Sequence, residues 1–263
     1  MFRNGTPNKE TIEVKKIYRH PLYKYPELYN DIAVVELGRR IEYDYDKLGD
    51  SPTCLDKGQD NTNKLATVTG YGVNEDVKSV KVAQETNVTI ISNDQCEKYL
   101  AHNSSLSNST KREIKKALPN GLDYGMLCAQ GIFQGEYTKN GIVKSVFSAA
   151  CEGDSGGPLT TGYPRQVGSY HPEDRSTLVG IVSGGVGCSQ GVPGWYTKVS
   201  FFYKWIDCVI QASKETGGVK ALVEEKCDKV AKNLVPQCIN EEDFLFSDDI
   251  DLRADDIFTI DFC

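Results

Sequence analysis

Between Gly153 and Pro158 the chain reads Gly-Asp-Ser-Gly-Gly-Pro, and this hexapeptide limits the fold more than any other stretch. Two successive glycines disfavour helix, and a proline directly after them has no N–H to give. Ser155 therefore cannot open a helix, which excludes architectures that present a serine on a strand-to-helix elbow. The same glycines let the backbone pass close to a bound molecule. The N–H groups of Gly153 and Ser155 can point at a developing oxyanion, where preorganised donors outperform water. Asp154 puts a carboxylate into an otherwise apolar turn. It is expected to need a buried positive partner, because an unpaired buried charge is costly.

Around the hexapeptide most of the sequence reads as short strands. Residues 11–18 are a β-branched run, 31–37 an apolar run, and 66–70 and 81–91 alternate; 178–183 and 194–199 follow. Gly, Pro, Asn and Asp punctuate them at irregular spacing, which predicts an antiparallel barrel or sandwich rather than β-α-β units. Helix signals are few. Residues 93–99 form a short candidate with Asn93 as N-cap. Residues 201–214 carry a stripe at Phe202, Trp205, Ile206, Val209 and Ile210, and a second helical stretch, 219–234, follows Gly217-Gly218. No internal repeat is visible, and 263 residues allow one large all-β domain or two modest ones.

Nine cysteines is an odd number, which in an oxidised protein leaves one for a partner outside the chain or a free thiol. Four Asn-x-Ser/Thr sequons, at Asn4, Asn87, Asn103 and Asn108, fit the same oxidising, secreted setting. Asn103 and Asn108 lie in a Ser/Asn-rich stretch expected to be a surface loop. Residues 1–5 lack the apolar core of a signal peptide, so either the protein is cytosolic or the start of a secreted polypeptide is missing. No run of 18 apolar residues exists, so no membrane span is expected. The net charge of −7 argues against a nucleic-acid partner. Residues 240–263 carry nine Asp or Glu and one Arg, a net −8, which leaves the rest of the chain at +1.

Several stretches, taken in order, resemble the chymotrypsin-like (trypsin-family) serine proteases, whose triad is a standard template. Beside the hexapeptide, Asn30-Asp31-Ile32-Ala33-Val34-Val35-Glu36-Leu37 resembles the segment around the triad aspartate, and His20-Pro21-Leu22-Tyr23 the loop before it. Thr69-Gly70-Tyr71-Gly72 resembles the strand opening the second barrel. Gly180-Ile181-Val182-Ser183-Gly184-Gly185 and Pro193-Gly194-Trp195-Tyr196-Thr197-Lys198-Val199 resemble the pocket walls. The likeness spans about residues 10–212 and implies an all-β fold, a double antiparallel β-barrel with a C-terminal helix. The divisions implied are 1–50, a remnant of an incomplete first barrel; 51–65, a linker; 66–212, the second barrel and helix; and 213–263, a cysteine-containing acidic extension.

By this resemblance Ser155 is the nucleophile, Asp31 orients the catalytic imidazole, Ser183 hydrogen-bonds Asp31, and Gly153 and Ser155 form the oxyanion hole. Asp154 is the partner of an activation ion pair. No cofactor or metal is implied. The general base is not found. In the family it precedes the aspartate by more residues than stand before Asp31, and His20, His102 and His171 all read as surface-loop residues. The chain is therefore expected to be the C-terminal part of a longer precursor and not a competent protease by itself. Half a barrel would leave strand edges and apolar faces unpaired, so poor folding in isolation is expected.

The likeness also implies Cys151–Cys188 across the pocket walls and Cys96–Cys128 closing the preceding loop, worth about 3–4 kcal/mol for some 30 residues. A third family bridge is absent, its positions being Ala66 and Thr161. Cys54 resembles the cysteine that holds an upstream pro-segment. Cys208, Cys227, Cys238 and Cys263 remain, with three possible pairings; their spacing fits no compact zinc pattern. The base of the primary pocket falls on Ala149 and Ala150, with Glu152 at the rim and Gly184, Gly185 and Gly194 on the walls. Without an acid at the base there is no counter-charge for Arg or Lys, so an apolar, chymotrypsin-like preference is expected. The loop 131–148 is long and is expected to reshape that pocket. The tail 241–261 reads either as a solvated chain or as an acidic-apolar segment that docks. Two functions follow: a secreted serine endopeptidase acting on protein or peptide substrates, or a non-catalytic protease homologue that binds partners in an extracellular cascade.

Overall fold

The computed structural model describes residues 11–41, 52–73, 80, 82–103, 106–139, 142–162, 176–188, 190–234 and 257–258. In chain order the elements are β1 (Val14–Arg19), β2 (Ala33–Leu37), β3 (Cys54–Leu55), β4 (Leu65–Gly70), β5 (Gln84–Ile91), α1 (Asn93–His102), α2 (Asn108–Ala117) and β6 (Met126–Gly131). There follow β7 (Phe133–Lys139), β8 (Ile142–Phe147), β9 (Pro158–Thr161), β10 (Thr177–Gly184), β11 (Gly194–Lys198), α3 (Val199–Glu215), α4 (Lys220–Lys232) and β12 (Ile257–Phe258).

Strands run in the order β11-β6-β5-β4-β9-β10, and β10 pairs back with β11, closing a six-stranded barrel. Period-2 alternation drives this closure. In β4 Ala66 and Val68 are buried, as are Val88 and Ile90 in β5, and they meet Leu159 and Val182 inside the barrel. The register Thr67↔Thr160 and Val68↔Leu159 puts Ala66 opposite Thr161 one step further on, so the two residues at the missing-bridge positions are neighbours. Cys54 and Leu55, in the segment expected to be a linker, add to the sheet as β3, parallel to β10. Cys54 is a free, half-buried thiol.

A second sheet has the order β1-β2-β12, with Tyr18 opposite Val34. Its inner face is covered. Tyr18, Ile32 and Val34 share one core with Phe202, Trp205 and Ile206 of α3 and with Val223 of α4. Helix α3 forms where the 3.6-residue stripe of 201–214 predicts one, and it stops at Gly217 and Gly218, both with positive φ. Helix α4 buries Val223, Cys227 and Ala231, an i, i+4, i+8 row. The bridge Cys208–Cys227 staples it to α3, which selects one pairing for these two cysteines; Cys238 and Cys263 lie outside the described residues. Among the described residues one face of this sheet and its β2 edge are covered, while β1 remains an edge strand. The helices seal the face, and Ile257 and Phe258 of the acidic tail pair with Glu36 and Val35 at the β2 edge.

Two local expectations also change. Helix α1 is capped by Ser92, not Asn93: the Ser92 side chain accepts from Gln95 N–H, and the Gln95 side chain returns to the Ser92 N–H, a capping box. The Ser/Asn-rich stretch is not all loop, because Asn108 opens α2 behind the Ser107 cap. A Ser-x-x-Thr start outweighs the loop-forming composition there.

His20 is the largest revision. It is 2% exposed, and its ring stands edge-on to Phe202 and Trp205 at 5.1 and 4.9 Å. The backbone turn Tyr23 N–H to His20 C=O pins it, and its Nε2 has no partner among the described residues. Burial lowers its pKa from 6.5 to about 4. The unfolded chain therefore binds a proton that the folded chain refuses between those values. Stability is expected to rise with pH from about 4 to about 6.5, by on the order of 3 kcal/mol. Thermal melts across this window should flatten in His20→Phe.

Candidate active site

Two separate segments meet on β10. The turn holding Ser155 is bonded to it twice, Gly156 N–H to Val182 C=O and Val182 N–H to Gly157 C=O, both at 2.9 Å. The next residue, Ser183, donates its hydroxyl to Asp31 Oδ2 at 2.7 Å. Asp31 is 5% exposed, and the Thr197 hydroxyl from β11 donates to its carbonyl at 2.6 Å. Adjacent residues of one strand thus fix both the serine turn and the carboxylate. Ser155 itself is exposed.

Ser155 lines a pocket of about 330 Å³ together with Ala149, Ala150, Glu152, Gly184, Gly185 and Gly194. The segments at Ala149–Ala150 and Gly184–Gly185 are tied by Cys151–Cys188. Tyr196 also lines it; burial pushes its phenol pKa well up, so the hydroxyl stays neutral. Gly184 has a steric reason. A Cβ there would lie 2.2 Å from Trp195 Nε1 and 2.9 Å from Leu28 Cδ1, so these two side chains fill the space beside it. The loop 131–148 is a hairpin of β7 and β8. Its base is locked by Ser148, buried, whose hydroxyl accepts from Ile132 N–H at 2.7 Å and donates to Asn87 C=O.

Gly153 adopts φ +89°, a value open to glycine at little cost. Neither its amide nor that of Ser155 meets an acceptor among the described residues. Asp154 departs from expectation. Its carboxylate accepts from the backbone N–H of Gly72 at 2.8 Å and of Cys151 at 2.9 Å; no cation is among its described partners. Charge-assisted bonds to two amides satisfy it instead. A Cβ on Gly70 or Gly72 would strike this carboxylate at 2.0 or 2.6 Å, so both glycines are needed for the approach. Asp154 borders a second cavity of about 300 Å³.

No imidazole lines the Ser155 pocket among the described residues. His20 is buried under the sheet, and His102 is exposed on the last turn of α1 with Nδ1 2.9 Å from Lys98 C=O. His171 lies outside the described residues. The second expected bridge, Cys96–Cys128, forms. Sequence reasoning passed over Thr197, Tyr196 and Leu28. The first two sit inside the Gly194–Lys198 strand already singled out, whereas nothing local marks Leu28 as a wall residue.

Residues 2–206 match the family model described as Trypsin. The chain is 31% identical over 205 residues to CLIP domain-containing serine protease C9 of Anopheles gambiae, covering 77% of this chain and 50% of that protein. It is 31% identical to the Clotting factor G beta subunit of Tachypleus tridentatus, covering 74% and 54%. With Serine protease 56 of Mus musculus the identity is 30%, covering 79% and 29%. The chain spans about half the length, or less, of these curated relatives. A family match over most of the chain, on a closed antiparallel barrel whose β10 holds a Gly-Asp-Ser-Gly-Gly turn beside a buried aspartate, makes this chain a member of the trypsin family of serine proteases.

Proposed function

We propose that the protein is a secreted serine endopeptidase that cleaves polypeptides through an acyl-enzyme on Ser155. The observation that carries this reading is the convergence on β10: Val182 holds the Ser155 turn and Ser183 holds Asp31. A carboxylate buried this way can orient an imidazole and stabilise its cation, and the base then activates the serine hydroxyl. The amides of Gly153 and Ser155 receive the oxyanion. The imidazole is supplied from outside the described residues. Cys54 bridges to a pro-segment of the precursor, Asp154 exchanges its amide partners for a cation on activation, and the sequon at exposed Asn87 carries glycan.

The pocket selects an apolar side chain. Ala149 and Ala150 offer no counter-charge at the base, and a lone ammonium or guanidinium there would lose its hydration uncompensated. Peptide substrates with Phe or Leu before the scissile bond are expected to be cleaved at least tenfold faster than Arg or Lys substrates. A kcat/KM comparison on matched peptides checks this, and equal rates would refute it.

The absence of an imidazole at the pocket among the described residues favours a second reading, a non-catalytic homologue that binds partners in a proteolytic cascade. Tight binding of peptides without turnover would select it.

A further inference from the structure

Helix α2 carries Lys111, Arg112, Lys115 and Lys116, all exposed, against a single acid, Glu113, which pairs with Lys116 at 2.9 Å. This is a net +3 on ten residues in a chain of net −7. The positions i and i+4 stack as two rows, Lys111 over Lys115 and Arg112 over Lys116. The rows extend about 7.5 Å along the axis, the reach of two to three residues of extended chain.

One face of the helix is packed. Ile114 and Ala117 pack on the small core of Leu118, Met126 and Trp195, and Cys96–Cys128 closes the segment. Its C-terminal end is tied to the loop before Asp31: Leu28 N–H donates to Ala117 C=O at 2.9 Å, and Tyr29 Oη donates to Gly121 C=O at 2.8 Å and accepts from Asn120 N–H at 2.9 Å. Leu28 in turn stands against Gly184 on the pocket wall. The C-terminal end of α2 is therefore joined to the pocket wall through Leu28, with Lys111 and Arg112 about 7.5–9 Å further along the helix axis from Ala117. Among the described residues Lys111 and Arg112 have no acidic partner.

We propose that α2 is a docking rim for a short acidic run in the polypeptide that occupies the cleft, with Lys111 and Arg112 as its principal contacts. The proposal rests on the cleft being a polypeptide site. The short reach of the patch and its junction with the cleft favour a few carboxylates of a cleft-bound peptide over a long polyanion. Cations near a cleft speed encounter and set register more than they add affinity.

The test uses the full chain and its Ser155→Ala variant with fluorescein-labelled peptides. One peptide carries four glutamates beside a phenylalanine and the other carries four glutamines. Fluorescence anisotropy should give tighter binding of the glutamate peptide, weakened about tenfold by Lys111→Glu with Arg112→Glu and abolished by high salt. The exposed variants should keep the parental thermal transition. Equal affinity for the two peptides, or indifference to the double variant, overturns the proposal. So does capture of a sulfated oligosaccharide through these residues without peptide binding. If glutamate-peptide binding persists while Ser155 resists a fluorophosphonate, the rim stands and only the catalytic reading fails.

Discussion

Asp31→Asn is expected to lower kcat about ten-thousand-fold in any form of the protein that turns over an apolar peptide, the loss this exchange causes in the family's triad template. The site explains why the loss should be chemical rather than structural. Asp31 is buried, and its contacts with Ser183 and Thr197 tolerate an amide. Ser183 donates to Oδ2 and can rotate its hydroxyl to accept instead, while Thr197 binds the backbone carbonyl and is untouched. What disappears is the negative charge that, under the proposed function, selects the productive imidazole tautomer and stabilises the imidazolium. The thermal transition should therefore stay within a few degrees of the parent while turnover collapses. Ser183→Ala makes the contrast: it leaves the charge but removes a hydrogen bond to a buried acceptor, at about 1–3 kcal/mol of stability. A kcat loss for Asp31→Asn no larger than for Ser183→Ala would contradict the assignment.

The second large effect concerns the core. Trp205→Ala is expected to cost about 3–5 kcal/mol. Trp205 is 2% exposed and lies in the core that joins α3 to the β1–β2 sheet and to Ile181 of the barrel. Its ring is also one of the two aromatic walls around His20. Truncation leaves a cavity that two sheets and a helix cannot all collapse into. For a chain of this size the melting temperature should fall by on the order of 10 °C. A loss under 1 kcal/mol in urea unfolding would show that the two sheets are not held through this helix.

The two effects separate what the sequence states openly from what it conceals. Strands β4, β5, β10 and β11 are legible because alternation and β-branched residues write the period of two directly, and α3 because Phe202, Trp205, Ile206 and Val209 write a period of 3.6. Ser155, Asp31 and Ser183 are legible because their neighbouring glycines and apolar runs match a family pattern. Helix α2 is not. Its first turn, Asn108-Ser109-Thr110, is loop-forming in composition and hides the helix formers of 111–117 behind it, and the contacts of Ile114 and Ala117 with Leu118 and Trp195 lie beyond local sequence. His20 misleads for the opposite reason. A His-Pro pair reads as an exposed turn, yet long-range packing by Phe202 and Trp205, about 180 residues later in the chain, buries it. Asp154 illustrates a third limit. The sequence predicts that a carboxylate in an apolar turn needs partners, but not that two backbone amides supply them.

If Ser155 is an activated nucleophile, a fluorophosphonate shows it most directly. The protein, expressed with whatever its gene encodes upstream of Met1, should be labelled after activation. Mass spectrometry should place the adduct on Ser155, and labelling should vanish in Ser155→Ala and drop sharply in Asp31→Asn. Absence of labelling in the folded, activated protein, or an adduct on another residue, would contradict the endopeptidase reading and leave the binding homologue.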